Sequence, residues 1–376
     1  MRIYIALAIA LLILFTACAQ MPTGKIVNEE PIKIGFIASL TGGTATQAEY
    51  TLKGVSLAVD ELNSKEGIKG RRINLIVEDD QCDPKIAVSA IEKLINIDKP
   101  AVIIGPSCSS SVIATAPIAE KSGTIIMTTI GSSPKITHAG DYIFRNTPSG
   151  ALLAEKIAEF AINNYGAKNA SILYLNMDNG VDFKEIFKKR FEQLGGRILN
   201  EEAYERGTKD FRTQLFKIKE KAPQIIFIGG QEHELAVKQI RELGIQAQIM
   251  GPITMETDEL IRVAGKAAEG VIYTAVEFEH ESKEPMIKEY QDKFMAKYGK
   301  PSEIRAATAY DAVMITARAM ANCNNPEDTV CIKKELYNTK NYPGISGVTT
   351  FDENGDVIKP IMIKTVKDGK FVRYEE

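Results

Sequence analysis

Residues 101–134, AVIIGPSCSSSVIATAPIAEKSGTIIMTTIGSSP, decide the fold. Ala101 to Ile104 is a short, β-branched apolar run, the length and content of a strand buried on both faces. Gly105-Pro106 stops it, and Ser107-Cys108-Ser109-Ser110-Ser111 opens a helix continued by Val112, Ile113, Ala116, Ile118 and Ala119. Thr124 to Met127 is a second buried strand, ending in the polar turn Thr128-Thr129-Ile130-Gly131-Ser132-Ser133-Pro134. Two parallel strands joined by a helix bring both turns to one carboxyl edge of a sheet, where α/β folds hold ligands. The positive end of a helix dipole at such an edge favours an anion. Equally, the serines can be plain caps for orphan amide groups.

Outward from this unit, the alternation continues in both directions. Ile32 to Ala38 is a strand, and the loop Ser39-Leu40-Thr41-Gly42-Gly43-Thr44 leads into a helix through Tyr50, Val55, Leu57, Ala58 and Leu62. Arg72 to Glu78 and Ile86 to Ile97 add a strand and a helix, and Tyr142 to Arg145 closes the first series. A second series follows the break at Asn146-Thr147-Pro148-Ser149-Gly150. Its helices are expected at 151–165, 183–194, 211–220, 233–243 and 256–264, its strands at 170–175, 197–203, 225–229, 247–250 and 271–275. Two βα series of similar length imply two lobes, each a parallel sheet covered on both faces. Helices at 285–298 and 303–321 and a terminal β region at 347–351, 360–365 and 370–373 are shared between them, so the chain crosses a hinge more than once. The expected division is 31–147 with 277–343 for the first lobe and 148–276 with 344–376 for the second.

The chain begins with a targeting segment. Met1-Arg2 supplies positive charge, Ile3 to Phe15 is an apolar run of 13, and Phe15-Thr16-Ala17 precedes Cys18. The run is short for a membrane span and has the length of a signal-peptide core. Small residues before the cysteine resemble a bacterial-type lipobox, which makes Cys18 a lipidation site, although Phe15 stands where leucine is usual. An uncleaved anchor is the other reading. Residues 19–30 read as a tether.

With Cys18 set aside, Cys82, Cys108, Cys323 and Cys331 remain, an even number in an exported chain, which suggests two disulfides. Spacing does not settle the pairing. Cys82 and Cys108 each follow a strand and can meet, while Cys323 and Cys331 flank the loop NNPEDTV and are expected to pair locally. His138, His233 and His280 lie far apart, so no metal is expected. A formal net charge of −3 supplies no basic field for nucleic acid. There is no phosphate-binding glycine motif, no G-x-S-x-G elbow and no cofactor signature, so neither a cofactor nor an enzyme is expected.

Four segments in order carry a specific resemblance: Gly54-Val55-Ser56-Leu57-Ala58-Val59-Asp60-Glu61-Leu62-Asn63, Glu78-Asp79-Asp80-Gln81-Cys82-Asp83-Pro84, Ile103 to Ser111, and Ala267-Ala268-Glu269-Gly270-Val271. Residues 31–376 thereby resemble the type I periplasmic-binding-protein family, close to the branched-chain amino acid receptors of ABC transporters. The resemblance implies a Cys82–Cys108 disulfide and an amino-acid ligand held between the lobes, its carboxylate at Ser109. It implies contacts from Ser132, the carbonyl of Ile130 and Gln47 in the first lobe. In the second lobe it points to Asn179, Gln231 and Ile253, in the loops Asn179-Gly180, Gly230-Gln231-Glu232 and Gly251-Pro252-Ile253. Leucine-binding relatives carry aromatics in the first two of these loops and an acid at the third, so Asn179, Gln231 and Ile253 imply a more polar ligand. Glu232 and Glu256 are then the nearest acids for an ammonium. The implied partners are a small carboxylate or amide ligand, an ABC permease and the membrane through the lipid. The implied mechanism is hinge closure, at the outer face of the cytoplasmic membrane. A sensor domain signalling through a membrane partner is the second reading.

Overall fold

The computed structural model describes residues 30–276, 278 and 282–375. The leader, Cys18 and tether residues 19–29 lie outside the described residues. The first series forms β1 (Ile32–Ala38), α1 (Ala45–Ser64), β2 (Ile73–Asp79), α2 (Pro84–Lys93), β3 (Val102–Ile104), α3 (Ser109–Ser122), β4 (Ile125–Thr128) and β5 (Ile143–Arg145). The second forms α4 (Gly150–Asn163), β6 (Asn169–Leu175), α5 (Asp178–Gln193), β7 (Arg197–Tyr204), α6 (Arg212–Lys221) and β8 (Ile225–Gly229). It continues with α7 (Glu234–Glu242), β9 (Gln248–Gly251), α8 (Asp258–Ala264) and β10 (Ile272–Val276). Then come α9 (Pro285–Tyr298), α10 (Ile304–Asn322), α11 (Thr329–Tyr337), β11 (Tyr342–Gly344), β12 (Gly347–Phe351), β13 (Val357–Ile358), β14 (Ile361–Lys367) and β15 (Lys370–Arg373).

The first sheet has the order β2-β1-β3-β4-β5 and is parallel throughout, with Ile34 between Leu75 and Val102. Every residue of β3 and β4 is buried, as expected for strands covered on both faces. The second sheet has the order β15-β14-β10-β9-β8-β6-β7. Its β6 to β10 are parallel, but β14 runs antiparallel to β10 and β15 antiparallel to β14. The expectation of a purely parallel second sheet is therefore corrected at one edge. A hairpin turn at Asp368-Gly369 needs no crossover helix, so the terminal strands add as an antiparallel ribbon.

Helix α10 returns to the first sheet's core, and fifteen of its nineteen residues are buried. Its close approach to α1 requires a glycine, because a Cβ on Gly54 would lie 2.1 Å from the carbonyl oxygen of Ala306. Residues 344–358, expected with the second lobe, place Ile345, Phe351 and Val357 in the core under the first sheet. Alternation marks them as strands but carries no information on which sheet they join. Strands β11-β12-β13 form a third, antiparallel sheet, and the chain passes between the sheets after β5, after β10 and between β13 and β14. We therefore propose lobes of 31–147 with 277–358 and of 148–276 with 361–376.

Two helix starts in the second series differ from the pattern by two residues or more. Helix α5 begins at Asp178, five residues before expectation, so Asn179 and Gly180 lie in its first turn. Gly180 is there for close packing, since a Cβ would meet the Leu175 carbonyl oxygen at 2.2 Å. The 256–264 helix starts at Asp258, where the Thr257 hydroxyl accepts Leu260 N–H at 3.1 Å.

Candidate binding site between the sheets

Gly105 has φ +106°, and a Cβ there would lie 2.0 Å from the Ile37 carbonyl oxygen. This turn can accept only glycine without moving β1. It places Pro106, whose carbonyl accepts the Thr128 hydroxyl at 2.7 Å, and the same hydroxyl accepts Gly131 N–H at 3.1 Å. The Ser109 hydroxyl oxygen accepts the N–H groups of Ser132 and Ser133, each at 3.1 Å. The turns after β3 and β4 are thus laced together. Ser109 is a brace between two loops, and among the described residues its O–H has no acceptor. Ser109→Ala strands two buried amides without an acceptor. It is expected to lower stability by ~1–3 kcal/mol in chemical denaturation; a variant of unchanged stability would remove the brace from the account.

The disulfide Cys82–Cys108, with Cα atoms 5.4 Å apart, fixes the residue before α3 to the turn after β2. Cys323–Cys331 closes the second bridge. Burial raises the carboxyl pKa of Asp80 beneath the first bridge, although its Oδ1 accepts Cys82 N–H at 3.0 Å. Cys108 precedes α3 in extended backbone with no side-chain cap, and Met177 precedes α5 in the same way. Two helix N-termini, one from each series, therefore face one gap with first-turn N–H groups that no side chain caps. That arrangement attracts a carboxylate or an amide carbonyl.

Five of the seven residues named from the sequence line this gap: Ser109, Ile130, Ser132, Asn179 and Gln231. Ser107, Ser110, Met177 and Asp178 join them. Its free volume is about 10 Å³, room for about one water. The Ser110 hydroxyl is buried there without a partner among the described residues. Gln231 is set by the buried Tyr204, whose hydroxyl donates to its carbonyl at 2.6 Å. The other two residues lie elsewhere. Gln47 lines a separate groove of about 1350 Å³ with Gly43, Tyr50, Glu232 and Glu256. Ile253 is half-buried and packs against the apolar clusters of both sheets.

The acids expected to receive an ammonium already have cations. Glu256 pairs with Lys364, and Glu232 lies 3.3 Å from Arg206 Nε while accepting Gly207 N–H at 2.7 Å. Asp178 is the acid at the gap, 2.7 Å from Lys135 of the facing series, and it raises the Lys135 ammonium pKa above its ordinary value. The Ser133 hydroxyl donates to Asp182 across the same seam. Sequence reading missed Asp178 because it takes α5 to begin later. It missed Arg145, whose buried guanidinium donates to the Ser133 carbonyl at 2.8 Å, because a strand-end arginine ordinarily reads as solvated. Among the described residues no cluster of His, Cys, Asp and Glu is arranged to hold a metal ion.

Comparison with known proteins places this arrangement. The sequence pattern of the family described as "Periplasmic binding protein" matches residues 31–370. The leucine-, isoleucine-, valine-, threonine-, and alanine-binding protein of Pseudomonas aeruginosa is 29% identical over 332 residues, covering 87% of each chain. The Leu/Ile/Val-binding protein of Escherichia coli K12 is 26% identical over 347 residues, 92% of this chain and 93% of that one. The crystal structure of a leucine binding protein from Thermotoga maritima superposes with a TM-score of 0.86 at 28% identity, covering 92% of this chain and 98% of that one.

Proposed function

This chain belongs to the periplasmic binding protein family, of type I and the branched-chain amino acid group, and on that premise we propose that it is the extracytoplasmic solute receptor of an ABC importer. The ligand enters between the lobes, the hinge closes over it, and the closed form is what a membrane permease recognises. The leader ending at Cys18 supports attachment by lipid to the outer face of the cytoplasmic membrane.

One observation carries the reading of the ligand: Ser109, Ile130, Ser132, Asn179 and Gln231, named from four segments of the chain, line one gap between two uncapped helix N-termini. A carboxylate or amide suits those N–H groups, while Asn179 and Gln231 suit a polar side chain. Asp178 lines the gap itself and is the acid we assign to an ammonium, which would share that carboxylate with Lys135. The ligand is therefore a small, polar, amino-acid-like molecule carrying a carboxylate or amide. The gap's small volume in this closed arrangement means that the lobes open to admit it.

The test is a calorimetric panel on protein unfolded and refolded to strip bound molecules. It compares aliphatic amino acids, polar amino acids, short amides and carboxylates. Tight binding is expected among the polar members, with leucine, isoleucine and valine weak. Tight leucine binding would overturn the polar assignment, and a panel with no binding at all would overturn the receptor reading.

A further inference from the structure

We propose that Arg206 is a clasp across the cleft, gripping a turn that the Cys82–Cys108 disulfide holds in shape, and that this grip sets how far the lobes close. The turn is unusual. Gln81 and Cys82 are consecutive non-glycine residues with φ of 51° and 56°, in the left-handed region that side chains rarely adopt. Three restraints hold them there. Asp79 Oδ1 accepts Gln81 N–H at 3.0 Å, Asp80 Oδ1 accepts Cys82 N–H at 3.0 Å, and the disulfide ties Cys82 to the start of α3. The Asp79 carboxylate is itself bound by Leu40 N–H at 2.9 Å and the Thr41 hydroxyl at 2.6 Å.

Two consecutive left-handed residues present both carbonyls on one side, and here that side faces the second lobe. Arg206 Nη1 donates to Gln81 O at 3.3 Å and Cys82 O at 3.5 Å, and its Nη2 donates to Gln81 O at 3.4 Å. Glu232 orients the guanidinium from behind through Arg206 Nε at 3.3 Å. The same carboxylate lies against Gly43 of the first lobe, where an added Cβ would come within 2.4 Å of Glu232 Oε1.

The chemistry suits a contact made and broken in each cycle. The acceptors are neutral carbonyls at long distances, so opening strands no carboxylate. A cross-cleft ion pair in the same place would resist opening more strongly. What the arrangement needs is a turn already in shape before closure, and that is what the disulfide supplies. Arg206 is a positioning residue: its place is at the rim, outside the set lining the gap.

The inference rests on the two-lobe closing motion but on no ligand, so small-angle X-ray scattering of stripped, ligand-free protein tests it separately from the receptor reading. Arg206→Ala is expected to raise the radius of gyration at an unchanged thermal midpoint, and Arg206→Lys to fall between it and the native protein. The double variant Cys82→Ser/Cys108→Ser is expected to show a similar expansion, with no further expansion when Arg206→Ala is added. An Arg206→Ala protein as compact as the native one overturns the clasp. Full additivity with loss of the disulfide overturns the link between them. Should the disulfide-free variant fail to fold, Tyr50→Phe is the comparison. The Tyr50 hydroxyl donates to Asp258 at 2.9 Å, a contact that shares no residue with the clasp, and its effect should add to that of Arg206→Ala. Non-additivity there would show general loosening and contradict a local clasp.

Discussion

Lys359→Met is expected to destabilise the protein by about 3–5 kcal/mol, the cost of leaving a buried charge without its partner. Lys359 and Asp311 are 3% and 1% exposed, and they meet through Ser346: the ammonium donates to the Ser346 hydroxyl, which donates to Asp311 Oδ2. Asp311 also accepts Ile345 N–H at 2.8 Å and Ser346 N–H at 2.7 Å. Burial pushes the Asp311 carboxyl up, against the pull of Lys359 and these hydrogen bonds. Burial pushes Lys359 down to about 8, against the pull of Asp311. Lys359 stands between β13, in the small β11-β12-β13 sheet, and β14 of the second sheet, so the cluster anchors one passage of the chain between sheets.

The pH dependence follows from the direction of the Lys359 shift. Between about 8 and its ordinary value of 10.5, the unfolded chain holds a proton that folded Lys359 has released. Stability from this group therefore rises with pH across that window and is lowest below it. Urea denaturation at pH 7 to 10 should show the slope in the native protein and lose it in Lys359→Met. Adding Asp311→Asn to that variant keeps an acceptor for one of the two amides and removes the buried carboxylate. The pair should therefore be more stable than Lys359→Met alone. Equal stability of native protein and Lys359→Met would contradict the ionic character of the cluster.

Arg145→Met carries a cost of the same size, about 3–5 kcal/mol. The Arg145 guanidinium is wholly buried and binds both oxygens of Asp356, with Nε to Oδ1 at 2.9 Å. It also donates to Thr137 Oγ1 at 2.9 Å and to the Ser133 carbonyl at 2.8 Å. One side chain thus fastens residues 352–358 to β5 and holds the turn that carries Ser132. Arg145→Lys replaces a planar fork with a point charge and should recover little of the loss. Denaturation measures the stability term. Calorimetry on the folded fraction should in addition show weaker binding, because the Ser132-Ser133 backbone is no longer held.

The sheets were legible because their strands are continuous apolar runs bounded by turn residues. Ile225–Gly229 and α9 at Pro285–Tyr298 stand where the pattern puts them. Patterns of this kind report burial and period but say nothing of partners. That is why 347–351 reads correctly as a strand while the segment 344–358 that carries it joins the first core, and why β14 and β15 are expected in a parallel sheet. At the site, the residues on the carboxyl edge, Ser109, Ile130, Ser132 and Gln231, are brought together because strand order alone places those loops. The supporting polar groups were not legible. Arg145 and Asp356 are 211 positions apart, and Lys359 reaches Asp311 only through a third residue. Gln47 and Ile253 show the converse: Gln47 lies in the first turn of α1 and Ile253 on the expected loop, but neither lines the gap.

Amide hydrogen exchange is the most direct test of the central claim, that a polar ligand is held between the N-termini of α3 and α5. Stripped protein would be compared with and without an equimolar mixture of the common amino acids and their amides. The account predicts slowed exchange concentrated in 107–112, 130–133, 177–181 and 230–232. Slowed exchange confined to other segments, or none anywhere, would contradict it.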